Sequence, residues 1–504
     1  MRGAALTAVL VFVCEGCASA GTGERPRGET LPLPPLGERI DAVLSEPPFD
    51  RVSWGVVVVD AETGRPLYER SADLLFIPGS NQKLPVTVAA LGLLGPDFRW
   101  ETTLYSSTLP TGGAIPGDLY LAGRGDPTLG SPFHPSARDA LSALADSLVA
   151  AGARRVQGRL FVDVAAWDST TVPDSWMVED LPATAGATGG AFSVGQGEIE
   201  VVVEGAARPG EAAVIRWEPG EPAPSFVQGD VVTVPSGEAS EVSARFLPES
   251  RKWVIEGTIG PGETRAVALP ARDPVGVAVS ALERAFADRG VSLEGGVAVL
   301  RDAEETVAAG CTAGRVPSCA GMLRVTGLAS PPLAEVVAEV LGPSQNWTAE
   351  QLVRTLGAET GETGSWAEGF AAMERYLVES VGLSPDDWSF EDGSGLSNHN
   401  LLSPRALAAM LVHAGRQPWG TIFRSALAEP GEEGSTLESR LPGLEGRLFA
   451  NTGSLSHVNS FSGYLTLDKG DDVAFSVLSN GANLPASAVR ERIDALIREI
   501  ARGR

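Results

Sequence analysis

Phe76-Ile77-Pro78-Gly79-Ser80-Asn81-Gln82-Lys83, followed by the helix-forming run Leu84 to Leu94, is the stretch on which the reading of this chain turns. Pro78-Gly79 ends the preceding strand, so Ser80 is expected to start a helix, with Lys83 on its face one turn later. That spacing brings an amine within reach of a hydroxyl. Such a pair is a nucleophile with an adjacent base, provided the amine is desolvated enough to be neutral part of the time. The first helical turn adds N–H groups and a dipole that favour developing negative charge. The competing reading is an N-capping serine and a surface lysine that happen to be three apart, and one Ser-x-x-Lys alone is a weak signal. Lysine is scarce, however, at Lys83, Lys252 and Lys469 only. Pro85 removes a backbone donor in the first turns after Ser80 and can kink the helix that presents the pair.

Working outward, Leu36 to Leu44 reads as a short helix, Val52 to Asp60 as a β run and Pro66 to Arg70 as its return strand across an Ala61-Glu62-Thr63-Gly64 turn. At the far end, Ser460 to Leu467 and Val473 to Leu478 form another hairpin. The last helix places Val489, Ile493, Leu496, Ile497 and Ile500 on one face, the spacing of a helix lying on a sheet. Both chain ends therefore belong to one α/β layer. Between about 99 and 325 the texture changes to short β runs (Ile199 to Val203, Val231 to Val234, Val254 to Ile259) with one helix near Val275 to Arg289. The expected organisation is a body formed by 36–98 and 326–504, interrupted by an inserted region 99–325 of two nested domains.

The 504 residues carry 39 basic and 64 acidic side chains, a net charge of −25, which disfavours nucleic acid and anionic lipid as partners. With 43% apolar and 20% charged residues the composition is that of a globular protein. Residues 1–20 run from Met1-Arg2 through an apolar stretch to Ala18-Ser19-Ala20, the pattern of a cleaved secretory signal, and 21–35 form a Pro-rich linker. The expected location is the periplasm; lipidation at Cys17 is the less favoured alternative. Cys311 and Cys319 could close a small loop by a disulfide in an oxidising compartment, and no further Cys or His lies near them to suggest a metal. His134, His399, His413 and His457 show no ligand or triad spacing.

Two further sites accompany Ser80 and Lys83. Ser344-Gln345-Asn346 stands directly before the helical run Trp347 to Leu356, and Asn451-Thr452-Gly453-Ser454 directly before a strand. In this order the three resemble the boxes of penicillin-recognising serine enzymes, Ser-x-x-Lys, Ser-x-Asn and Lys-Thr-Gly. Ser330-Pro331-Pro332-Leu333, Ala349-Glu350, Arg354-Thr355-Leu356-Gly357-Ala358, Asp392-Gly393-Ser394-Gly395-Leu396-Ser397 and Gly125-Asp126-Pro127-Thr128-Leu129 narrow the likeness. Across about Leu36 to Ile500 the chain resembles the D-alanyl-D-alanine carboxypeptidase/endopeptidase family, the low-molecular-mass class C penicillin-binding proteins.

The resemblance implies an α/β (α+β) transpeptidase/β-lactamase-like fold, an antiparallel sheet with flanking helices plus inserted β-rich domains. It implies peptidoglycan stem peptides and β-lactams as ligands, with no metal or organic cofactor and no obligate protein partner. Ser80 would be the acylated nucleophile, Lys83 its base and Ser344 a proton relay to the leaving amine. Asn346 would hold the substrate amide and the Lys83 amine, backbone N–H groups of Ser80 and Ser454 would form the oxyanion hole, and Thr452 would bind the terminal carboxylate.

One position departs from the pattern: Asn451 stands where the family has lysine facing the substrate carboxylate. Losing a preorganised donor costs on the order of 3 kcal/mol of transition-state stabilisation. Losing a neighbouring cation should also let the Lys83 pKa rise, leaving less free amine. Lys469 is too far along the chain to replace it, and Arg447 lies roughly 13 Å away by strand rise. The expectation is a serine-type D-Ala-D-Ala carboxypeptidase or endopeptidase weakened at Asn451. The alternatives are a catalytically degenerate cell-wall binding module and, last, an esterase or β-lactamase.

Overall fold

The computed structural model describes residues 34–219, 227–250, 252–302, 306, 318–319 and 321–503. The signal segment, nearly all of the linker and Cys311 of the suggested disulfide lie outside the described residues.

A five-stranded antiparallel sheet runs in the order Pro66–Arg70, Ser53–Asp60, Asp472–Asn480, Val458–Thr466, Leu448–Leu455, so the two chain ends share one layer. Val56 to Val59 are apolar without alternation because both faces of this sheet are covered. Val56 and Val58 point to the terminal helices Leu36–Ser45 and Ala486–Ala501, packing with Ile40, Leu44, Val489, Ile493 and Leu496. Val57 and Val59 point the other way, toward Leu84, Val88, Leu407 and Leu411. Each such fully buried side chain contributes about 1.5–3 kcal/mol relative to exposure.

The Ser80 stretch lies on this second side. Gly79–Gln82 form a 3-10 turn and the α-helix proper is Lys83–Leu94, so the helix begins three residues later than its sequence suggested. Pro85 falls in the first α-helical turn, where a missing N–H is tolerated, and Lys83–Leu94 continues as one helix.

The inserted region has its own sheet, ordered Val297–Leu300, Leu160–Asp163, Leu119–Ala122, Glu101–Ser106, Met322–Ala329, Ser318–Cys319. Its last long strand ends at Ala329, a few residues beyond the boundary expected from composition. Two helices cover it, Pro274–Asp288 and a second, Ala137–Ala150, that the sequence reading lacked. The second helix has the signs of one: Ser136 caps it by accepting from the Asp139 N–H, and Leu141, Leu144 and Leu148 recur at helical spacing. Nested within residues 198–270 are two three-stranded sheets around Val201, Val203, Trp253, Ile255 and Ile259.

The insertion docks on the helix Asn346–Thr360. Arg354, almost fully buried, lies between the rings of Trp167 and Trp366 and donates to Asp168 and to the Gly364 carbonyl. Gln351 donates to the carbonyls of Gly125 and Gly190. Gly125 has φ +73°, and a Cβ there would fall 1.9 Å from the Trp167 ring, so glycine lets the chain pass beside Trp167 with its carbonyl on Gln351.

Candidate active site

Ser80 is positioned by a backbone held at both ends. Before it, Ile77 exchanges hydrogen bonds with the Asn480 side chain, and Phe76 pairs with Leu402. Ser460 donates to the Pro78 carbonyl at 2.6 Å, and Ser462 to Asn81 Oδ1 at 2.7 Å. The edge strand Leu448–Leu455 then lies against the turn so closely that a Cβ on Gly453 would come within 2.7 Å of the Ser80 nitrogen. That contact explains the glycine and brings the Ser80 and Ser454 backbones together.

Lys83 has no solvent-accessible surface. Its Nζ is 2.9 Å from Ser80 Oγ, 2.7 Å from Asn346 Oδ1 and 2.8 Å from the Ser394 carbonyl. The last two can only accept, so a neutral amine gives both its hydrogens to them and leaves its lone pair toward Ser80. Burial lowers the Lys83 pKa to about 7, against the opposing pull of Asp392 and Glu350. The desolvation thus supplies free amine without a second cation nearby.

The floor beneath Lys83 is polar. Glu350, one turn after Asn346, accepts from the Gly393 and Ser394 N–H groups and from the Trp366 indole, fixing the Ser394 carbonyl. Burial first, then the neighbouring Asp392, hold the Glu350 carboxyl above the usual carboxylate range. Asp392 accepts from the N–H groups of Gly395 and Ser397, from Asn400 and from Trp176 of the insertion. Asn346 donates its Nδ2 to the Ala185 carbonyl, also in the insertion, which sets its Oδ1 toward Lys83.

A cavity of about 360 Å³ opens at Ser80 and is lined by Ser344, Thr452, Gly453 and Ser454, with Thr436, Arg440 and Arg490 farther along. Ser344 has φ +64°, a left-handed backbone that costs a non-glycine residue energy and is concentrated at functional sites. Six of the eight positions singled out in the sequence thus line this cavity or its catalytic pair: Ser80, Lys83, Ser344, Thr452, Gly453 and Ser454. Asn346 joins them through Lys83. Asn451 does not line the cavity. It is fully buried, accepting from Asn81 Nδ2 on its carbonyl and its side-chain oxygen and donating to the Leu341 carbonyl at 3.3 Å. Arg447 is bound at the far end of its strand to Thr466 and Asp468.

Asn81, Ser460, Ser462, Asp392 and Arg440 hold or line the site without a role assigned by the three boxes. Ser460 and Ser462 alternate along one strand, which places both hydroxyls on one face. Glu350 stands at i+4 from Asn346, on the same helix side.

The model of the D-Ala-D-Ala carboxypeptidase 3 (S13) family matches residues 36–502. A D-alanyl-D-alanine carboxypeptidase of an Actinomadura species is 33% identical over 486 residues, 93% of this chain and 85% of that protein. The D-alanyl-D-alanine carboxypeptidase DacB of Haemophilus influenzae is 22% identical, with 85% of each chain covered. Among solved structures, penicillin binding protein 4 (dacB) from Haemophilus influenzae superposes with a TM-score of 0.73 at 21% identity, over 92% of this chain and 98% of that one. A second structure of that protein, complexed with a β-lactam, gives 0.68.

Proposed function

This chain belongs to the D-Ala-D-Ala carboxypeptidase 3 (S13) family, and on that premise we propose how its own residues carry out the reaction of a serine-type D-Ala-D-Ala carboxypeptidase acting on peptidoglycan stem peptides. The neutral Lys83 amine takes the Ser80 proton as Oγ attacks the carbonyl of the penultimate D-alanine. The oxyanion that forms meets the N–H groups of Ser80 and Ser454. The proton passes through Ser344 to the departing amine, the C–N bond breaks, and D-alanine leaves. Water then cleaves the Ser80 ester and restores the pair. β-Lactams enter by the same attack and stop at the acyl-enzyme.

The observation that carries this reading is the 2.9 Å approach of a fully buried Lys83 amine to Ser80 Oγ, with its other two partners both acceptors. Asn451 leaves the site without the donor that lysine would add, so acylation should be slower than with that lysine present. Residues 1–20 support export and work in the periplasm.

The test is the intact mass of the purified chain after incubation with benzylpenicillin, beside Ser80→Ala, together with D-alanine release from an acyl-D-Ala-D-Ala peptide. A single adduct and D-alanine release, both lost in Ser80→Ala, are expected. No adduct from a folded chain would sink this mechanism and leave a cell-wall binding module.

A further inference from the structure

A substrate ending in D-alanine presents its carboxylate close to the reacting carbon. The intervening bonds, C–N, N–Cα and Cα–C, span at most about 4 Å. Its receptor must therefore line the cavity that contains Ser80. Lys83 is committed to Ser80, Asn346 and Ser394, and Asn451 is tied beneath the strand, so neither offers a cation to that cavity. The cations among its lining residues are Arg440 and Arg490.

These two differ. Arg490 is exposed on the helix Ala486–Ala501. Arg440 is largely buried, its side chain 16% exposed, with its guanidinium 5.0 Å over the Phe461 ring. Phe461 is the cross-strand partner of Thr452, and paired residues project from the same sheet face. Ser454, two residues on, shares that face. Asp494 takes Arg440 through Nη2 at 2.5 Å and Nε at 3.4 Å, which fixes the plane of the fork. Its Nη1 has no partner among the described residues. The Thr436 hydroxyl, in the same cavity, is buried and also without a partner there.

We propose that Arg440, held by Asp494 and Phe461, receives the substrate's terminal carboxylate through Nη1 together with Thr452 and Ser454, supplying the charged donor that Asn451 does not. Arg490 stands at the rim and adds attraction at longer range. The inference rests on the acyl-enzyme reading above and specifies its substrate: peptides with a free C-terminal carboxylate.

The test compares two substrates, an acyl-D-Ala-D-Ala peptide and an acyl-D-alanine methyl thioester with no carboxylate. Arg440→Gln should lower kcat/KM for the peptide on the order of 30-fold, mainly through KM, as loss of a charge-assisted hydrogen bond does. The thioester should change by less than about twofold, because its attack by Ser80 is untouched. Arg440→Lys should keep most of the peptide activity. Equal losses on both substrates, or no loss on either, would overturn the proposal. Wild-type failure on both substrates would instead strike the acyl-enzyme reading itself.

Discussion

The two sides of the edge strand Leu448–Leu455 are built to opposite specifications. On the side of the nucleophile helix, Asn451 is closed in by Asn81 and Leu341, and with Ser462 it joins residues next to all three boxes into one buried polar cluster. On the other side Thr452 and Ser454 face an open cavity with Arg440 and Arg490. Neighbours in sequence thus fall to different tasks, because side chains along a strand alternate. The closed side ties the turn that carries Ser80 and Lys83 to the edge strand. The open side keeps the Thr452 hydroxyl and Arg440 Nη1 without a partner among the described residues, and the Ser454 hydroxyl on a long 3.4 Å bond to Asn459. Substitutions on the closed side should therefore act on kcat, and those on the open side on KM.

The severest challenge to that division is Lys83→Gln, which keeps hydrogen-bonding capacity and removes the base. Acylation by benzylpenicillin should slow by roughly 10³ to 10⁴ with folding retained, as measured by intact-mass time courses and thermal melting. A smaller effect is expected at Glu350→Gln, whose NH2 group would oppose either the Ser394 N–H or the Gly393 N–H and the Trp366 indole, and loosen the carbonyl that Lys83 needs. kcat should fall about 100-fold and stability by about 2 kcal/mol, with KM nearly unchanged. A KM change larger than the kcat change would erase the distinction between the two sides.

Acidity gives a milder version of the first experiment. Only the neutral amine accepts the Ser80 proton, so activity is lost as pH falls through the Lys83 pKa of about 7. Going from pH 8 to pH 6 should reduce kcat/KM by about tenfold, and a profile flat to pH 5 would contradict the assignment of the base. On the open side, Thr452→Val should raise KM for carboxylate-bearing peptides by several-fold and leave kcat within about twofold. The smallest effect sharpens the comparison most. Asn451→Lys adds charge on the closed side but gives up the bonds to Asn81 and Leu341, and acylation should still rise several-fold. If it falls, the stitching of the boxes outweighs the charge.

Much of this architecture is present in local pattern. The terminal hairpins, the last helix and the Ser80–Lys83 spacing are short-range features, and the structure has them close to where periodicity puts them. The base's environment is another matter. Lys83 meets Asn346 and Ser394 across separations of 263 and 311 residues, and no local pattern reports such pairings. Glu350 and Asp392 look like ordinary acidic residues until their donors are known. Arg440 lies between elements, in a stretch without periodicity, and its place over Phe461 depends on strand pairing and on Asp494, 54 residues away. Burial of Lys83 is a collective property of the elements packed around it.

The bond from Asn346 to the Ala185 carbonyl spans 161 residues and two separately cored parts of the molecule. An amide that is free to flip would present nitrogen to Lys83 as readily as oxygen, and two N–H donors in apposition repel. Hydrolytic competence therefore requires the insertion to be seated, because that contact turns this one side chain the right way round. In refolding, penicillin-reactive serine should appear after the far-UV signal has recovered.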